Sequence, residues 1–136
     1  MSSFTLLVTS APFTQQNAYS AYRFALAAVQ SKHNINGIFF YQSGTLNGSS
    51  LQITASNEFD LYAAWEKLSK EYQVPLMVCV SAASKRGITT AQDAQESDNS
   101  HFSLTAPFES VGLGELATLI SNSDRLIQFW ANPQQV

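Results

Sequence analysis

The chain has one cysteine, Cys79, and it is the side chain best suited to covalent chemistry. It lies in the stretch Val74-Pro-Leu-Met-Val-Cys-Val-Ser-Ala-Ala-Ser-Lys-Arg-Gly87. Leu76 to Val80 is an apolar run of strand length. Ala82, Ala83 and Ser84 fit a first helical turn that Ser81 can cap and Gly87 can end. The spacing therefore predicts Cys79 near the carboxyl end of a strand, just ahead of a helix N-terminus. In open α/β sheets ligands and chemistry gather at that edge. A helix N-terminus favours an anion, and so the nucleophilic thiolate over the thiol. Lys85 and Arg86, about a turn further on, would add positive potential. A second reading stands beside this one: free cysteine is among the most buried residue types, and in Leu-Met-Val-Cys-Val it can be a small core hydrophobe. The first reading expects Cys79 to be solvent-reachable, facing a loop edge formed by residues 10–14 and 42–50; the second does not.

The other candidates are weaker. His33 suits a helix C-terminus, where a cation is favoured. His101 stands in an irregular stretch, and a Cys79–His101 dyad is conceivable, although nothing in the sequence fixes its geometry. Gly112-Leu-Gly114 precedes a helix but lacks the third glycine and the leading strand of a phosphate loop, so it reads as a helix entry turn. Asp93, Glu96 and Asp98 read as a solvated acidic face. Metal ligands at recognisable spacing are absent from the sequence.

The elements that position these residues follow from periodicity. Phe4 to Thr9 reads as a first strand and Ser10-Ala11-Pro12-Phe13 as a loop. Thr14 is placed to cap a helix from Gln15 to about Lys32, whose stripe is Ala18, Ala21, Tyr22, Ala25, Leu26 and Val29. Gly37 to Tyr41, starting as early as Ile35, is a continuous apolar strand of the kind buried on both faces in parallel sheets. After the polar loop 42–54, Ser56 or Asn57 would cap a helix to about Tyr72, with Leu61, Trp65, Leu68 and Tyr72 near one face. Beyond the Cys79 strand, Thr89 or Thr90 would cap a short helix through about Glu96. Asp98 to Ser110 shows no period. A helix from about Glu115 to Ser121 and a strand from Arg125 to Phe129 complete the pattern. Alternating strands and helices predict a three-layer α/β/α sandwich on a mainly parallel sheet, with one domain over residues 1–130 and a tail over 131–136.

Composition sets outer bounds. The chain of 136 residues is 45% hydrophobic and only 12% charged, which fits a packed α/β domain and excludes a disordered one. Seven basic and ten acidic residues give a net charge of −3, with no basic stripe for nucleic acid. One cysteine excludes an internal disulfide and an all-cysteine metal site, and suits a reducing compartment. The N-terminal residues lack the pattern of a signal peptide, and no apolar run reaches membrane-spanning length, so a soluble, cytoplasmic protein with no direct nucleic-acid or membrane contact is expected.

Read together, several pieces resemble the TusD/DsrE family of sulfurtransferase subunits. They are Thr14-Gln15-Gln16, Phe39-Phe40-Tyr41, Ala55-Ser56 with Glu58-Phe59-Asp60-Leu61, Trp65, Cys79-Val80-Ser81-Ala82-Ala83, Arg86-Gly87, Gly112-Leu113-Gly114, and Asp124-Arg125 with Gln128-Phe129. They run in order from about Phe4 to Phe129. The loop Ser10-Ala11-Pro12-Phe13 departs from the resemblance, because family members often carry glycine there. The resemblance implies a DsrEFH-like sandwich in which Cys79 carries a persulfide and no cofactor or metal is needed. It implies two related subunits, TusB-like and TusC-like, in a heterohexamer, a TusA-like persulfide donor and a TusE-like acceptor. The sulfur would serve 2-thiouridine synthesis at the tRNA wobble position; the alternatives are a DsrE-type role in dissimilatory sulfur oxidation and a non-catalytic scaffold.

The charge balance generates a first prediction. The purified chain should show no submicromolar binding to tRNA at physiological salt in a gel-shift titration. Tight, salt-sensitive binding would overturn the expectation that RNA is reached only through other proteins.

Overall fold

The computed structural model describes residues 1–13 and 15–131. Thr14, expected to cap the first helix, and residues 132–136 of the expected tail lie outside the described residues. The order of elements is β1 (Ser3–Val8), α1 (Asn17–Gln30), β2 (Asn34–Phe40), a 3-10 helix (Gln42–Gly48), α2 (Leu61–Tyr72), β3 (Leu76–Cys79), α3 (Val80–Ser84), α4 (Ala91–Glu96), β4 (Phe108–Val111), α5 (Leu113–Ser121) and β5 (Arg125–Phe129). The five strands form one sheet in the order β4-β3-β2-β1-β5, and every pairing is parallel.

This order decides which face each helix covers. From β1 to β4 the chain steps steadily in one direction, and right-handed crossovers then put all three connections on the same face. The step from β4 to β5 runs back across the sheet, so α5 must cross the opposite face. The packing agrees. Leu6, Val8, Ile38, Phe40, Leu76, Val78 and Phe108 point to the first face, where Ala18, Ala21 and Ala25 of α1, Leu61, Trp65 and Leu68 of α2, and Ile88 and Leu104 close the main core. The alanines let α1 lie close to the strands. Leu7, Phe39 and Cys79, one residue out of phase, point to the second face and meet Ala82, with Leu116 of α5 packed against them. Gly37 is needed there: a Cβ on it would stand 2.8 Å from Leu119 of α5.

Helix α2 and strand β4 differ from the sequence expectation. Helix α2 begins at Leu61, because Asp60, not Ser56 or Asn57, accepts the Ala63 N–H at 3.0 Å. Residues 55–58 instead close their own turn, with the Glu58 N–H donating to the Ala55 carbonyl at 3.0 Å. Strand β4 lies inside the stretch that showed no period. It has four residues at a sheet edge, and Phe108 alone among them is buried, which leaves too short an alternation to read.

The loops at the carboxyl end of β1 and β2 are locked by one buried amide. Asn47 donates to the Ser10 carbonyl at 3.0 Å and the Gly44 carbonyl at 2.8 Å, and accepts from Trp65 Nε1 at 3.2 Å. Replacing it leaves three buried polar groups to find new partners. Asn47→Ala should therefore lower unfolding stability by about 2–4 kcal/mol in urea titration. Gly44→Ala should be at least as damaging, since its Cβ would fall 2.0 Å from the Val8 carbonyl oxygen. Gly114→Ala, in open space on α5, should be neutral or slightly stabilising. Equal effects at all three positions would contradict this account.

Candidate functional site

Cys79 ends β3 and is the residue from which α3 springs, with extended backbone at φ −64 and ψ 118. It pairs with Val111 of β4 and lies one residue beyond Val78, which pairs with Phe40. So it stands at the carboxyl edge of the sheet, as its sequence context indicates. The helix that follows is five residues long. Its end is a Schellman turn: the Ile88 N–H donates to the Ala83 carbonyl at 2.9 Å and the Gly87 N–H to Ser84 at 3.1 Å, with Gly87 at φ +73. A left-handed residue is required there, and glycine supplies it without strain.

The surroundings of the sulfur differ from the expectation of a solvent-reachable thiol. Cys79 is 1% exposed. Because it alternates with Val78, it turns to the α5 face and not to the loop edge of residues 10–14 and 42–50. There Leu7, Phe39 and Ala82 enclose it, with Tyr41, Met77, Val111 and Leu116 packed around the cluster. Among the described residues one polar side chain reaches it: Ser81 Oγ stands 3.6 Å from Cys79 Sγ. Ser81 is exposed, so the hydroxyl lies on the solvent side of the buried sulfur. Sequence reasoning assigned Ser81 to capping. The helix starts two residues earlier than that requires, which places Ser81 in its first turn and its hydroxyl on the sulfur.

The other candidates separate from Cys79. Arg86 Nη1 folds back to the Ala82 carbonyl at 3.0 Å, at the far end of α3, so it does not sit over the sulfur. Lys85 is exposed at the same helix end. His101 is exposed and shares a 2.9 Å hydrogen bond with Ser100, so the Cys79–His101 dyad is not made. His33 accepts the Ser2 N–H at Nδ1, 3.0 Å away, and sets its ring edge-on to Phe4, a clamp on the start of β1. Tyr62 stacks on Phe108 on the face opposite the sulfur. Burial holds its phenol above the ordinary 10.0; the nearby Glu66 charge adds to this and the Thr105 hydrogen bond opposes it. Among the described residues there is no group of three or more histidine, cysteine, aspartate or glutamate side chains that could hold a metal ion. No helix there is long and apolar enough to cross a membrane.

A groove of about 560 Å³ runs along the β4 edge beside the site. It is bounded by Val80, next to the cysteine, and by Val111, its register partner, and extends to Thr90 and Asp93. Asp93 and Glu109 are its charged groups, and it has no lysine or arginine in its lining.

With this geometry in hand, similarity to known proteins is informative. Residues 2–129 match the DsrE/DsrF-like family. The chain belongs to that family. A protein of Vibrio cholerae named sulfurtransferase TusD homolog is 40% identical over 126 residues, covering 93% of this chain and 96% of its own length. The sulfurtransferase TusD of Pectobacterium carotovorum is 43% identical over 129 residues, covering 95% of this chain and all of its own (100%). That of Yersinia pestis is 44% identical over 126 residues, covering 93% and 96%. The crystal structure of the ychN protein from E. coli superposes with a TM-score of 0.78 at 19% identity over 95% of this chain and 100% of that one, a likeness of fold. The all-parallel sheet and its helices are thus the three-layer α/β/α sandwich of this family.

Burial of the sulfur has a direct consequence. Iodoacetamide should label Cys79 at least about tenfold more slowly in the native chain than in denaturant at the same pH, because reaction waits for local opening. Equal rates would mean that the thiol is open to solvent.

Proposed function

We propose that this chain is a sulfurtransferase subunit of a sulfur relay, taking up sulfane sulfur on Cys79 and passing it to an acceptor protein. The observation that carries the reading is the position of the chain's sole thiol. It ends a strand at the carboxyl edge of a parallel sheet, beside a groove, in a chain similar over most of its length to proteins named sulfurtransferase TusD. The chemistry is exchange at sulfur. The Cys79 thiolate attacks the outer sulfur of a donor persulfide, R–S–S–H. A new S–S bond forms to Cys79, the old one breaks, and the donor leaves as R–S⁻. No net oxidation occurs, and Cys79 holds –S–S–H. An acceptor thiolate then repeats the attack on that outer sulfur and releases the Cys79 thiolate. One cysteine per chain is sufficient, because the other thiols belong to partners.

The proposed setting is a cytoplasmic relay for tRNA wobble-uridine thiolation, within a heterohexamer of this chain and TusB-like and TusC-like subunits, with a TusA-like donor and a TusE-like acceptor. Association is supported by the thin cover on the α5 face, where Leu113 is 47% and Ile120 39% exposed. The same chemistry in dissimilatory sulfur oxidation is the alternative setting. A second reading draws on a specific observation: the 1% exposure of Cys79 favours a scaffold subunit whose cysteine only fills the core.

Intact mass after incubation with a persulfide donor separates these readings. The wild-type chain should gain one sulfur atom, removable by reductant. Cys79→Ser should keep the fold, as the side chains are near in size, and gain none, since a hydroxyl cannot form the persulfide. A wild-type chain that never gains sulfur, alone or with its partner subunits, would leave the scaffold reading.

A further inference from the structure

We propose that Ser81 is a positioning residue for sulfur transfer, its hydroxyl holding and stabilising the Cys79 thiolate. The inference rests on the reading of Cys79 as the sulfur carrier. Its basis is the 3.6 Å contact between Ser81 Oγ and Cys79 Sγ, in which either atom can donate while the sulfur is a thiol. Once the thiol loses its proton, one arrangement remains: the serine O–H donates to S⁻. Hydrogen bonds to an ionised acceptor are roughly twice as strong as neutral ones, so the contact gains strength on ionisation. The side chains of Leu7, Phe39 and Ala82, which enclose the sulfur, offer it no hydrogen bond.

Among the described residues none of the charged side chains is hydrogen-bonded to the sulfur. The titratable or charged groups on the elements around the sulfur are Tyr41 after β2, Glu109 on β4, Glu115 in the first turn of α5, Arg125 on β5, and Lys85 and Arg86 at the end of α3. Strand β1 and the 3-10 helix carry none. Among the described residues Ser81 is the one side chain hydrogen-bonded to the sulfur, and the sulfur is the one partner of its hydroxyl. Ser81 also stands on the solvent side, where a donor must approach. Its hydroxyl is therefore placed to follow the charge as it moves from Cys79 to the departing thiolate and back.

The test uses the full chain with Ser81→Ala and Ser81→Thr. Thiolate ultraviolet absorbance is followed against pH with Cys79→Ser as the blank, which subtracts the tyrosines. Sulfur loading from glutathione persulfide is followed by mass on the same proteins. Ser81→Ala should move the thiolate midpoint upward by about one pH unit and slow loading about tenfold below it, while Ser81→Thr, which keeps the hydroxyl, restores both. A role confined to packing would change the rate at every pH without moving the midpoint. Loading that persists in Ser81→Ala with an unmoved midpoint overturns the inference alone. Absence of any adduct on the wild-type chain overturns the sulfur-carrier reading and the inference with it.

Discussion

The carboxyl edge of the sheet depends on one buried amide. Asn47 is 1% exposed and bonds three elements at once: the loop after β1 through the Ser10 carbonyl, its own 3-10 helix through Gly44, and α2 through the Trp65 indole. No apolar residue of its volume can do this, because each of those groups would then be buried without a partner. Trp65, fixed in this way, sets its ring edge-on to Phe40 and to Tyr22, and so joins α1, α2 and β2 in the main core. The 3-10 helix in turn packs against β3 and α3, the two elements that meet at Cys79. The geometry around the thiol is thus held from behind by a hydrogen-bond network that does not touch it.

Much of the fold was legible because it is encoded locally. The alanine stripe of α1, the apolar run of β2, the Thr90 cap of α4 and the strand Arg125–Phe129 each carry their own period or cap within a dozen residues. The start of α2 was harder. Ser56, Asn57 and Asp60 are all good capping residues, and only the Asp60 carboxylate reaches an N–H two turns of chain away from the competing site. Strand β4 was invisible for another reason. It is stabilised by pairing with β3 and by Phe108 packing on Phe40 and Tyr62, contacts made with residues far away in the chain.

The site divides along the same line. That Cys79 ends a strand and precedes a helix is a local fact. Its burial is not. It follows from parity along β3 combined with the handedness of the β4–β5 crossover, which brings α5 over the very face to which odd-numbered β3 residues point. The hydroxyl contact was missed because Ser81 was read as a cap, a role that vanishes when the helix begins two residues sooner. The one available signal was the spacing itself. A serine two residues after a cysteine at a strand-to-helix junction can turn its hydroxyl back onto the sulfur.

Burial and transfer chemistry are compatible if partners supply the opening. A local rearrangement that costs about 2.8 kcal/mol leaves the sulfur reachable in about one molecule in a hundred. Small thiols and oxidants then react with that minor fraction alone, which protects a loaded persulfide from loss. A docking protein can shift the balance only as far as it binds the open form better than the closed one. The groove lined by Val80 and Val111 borders the strand end and the short helix that carries Ser81. The five-residue length of α3 matters here: Ala82, which helps enclose the sulfur, and Ser81, whose hydroxyl meets it, are both carried on this one short element.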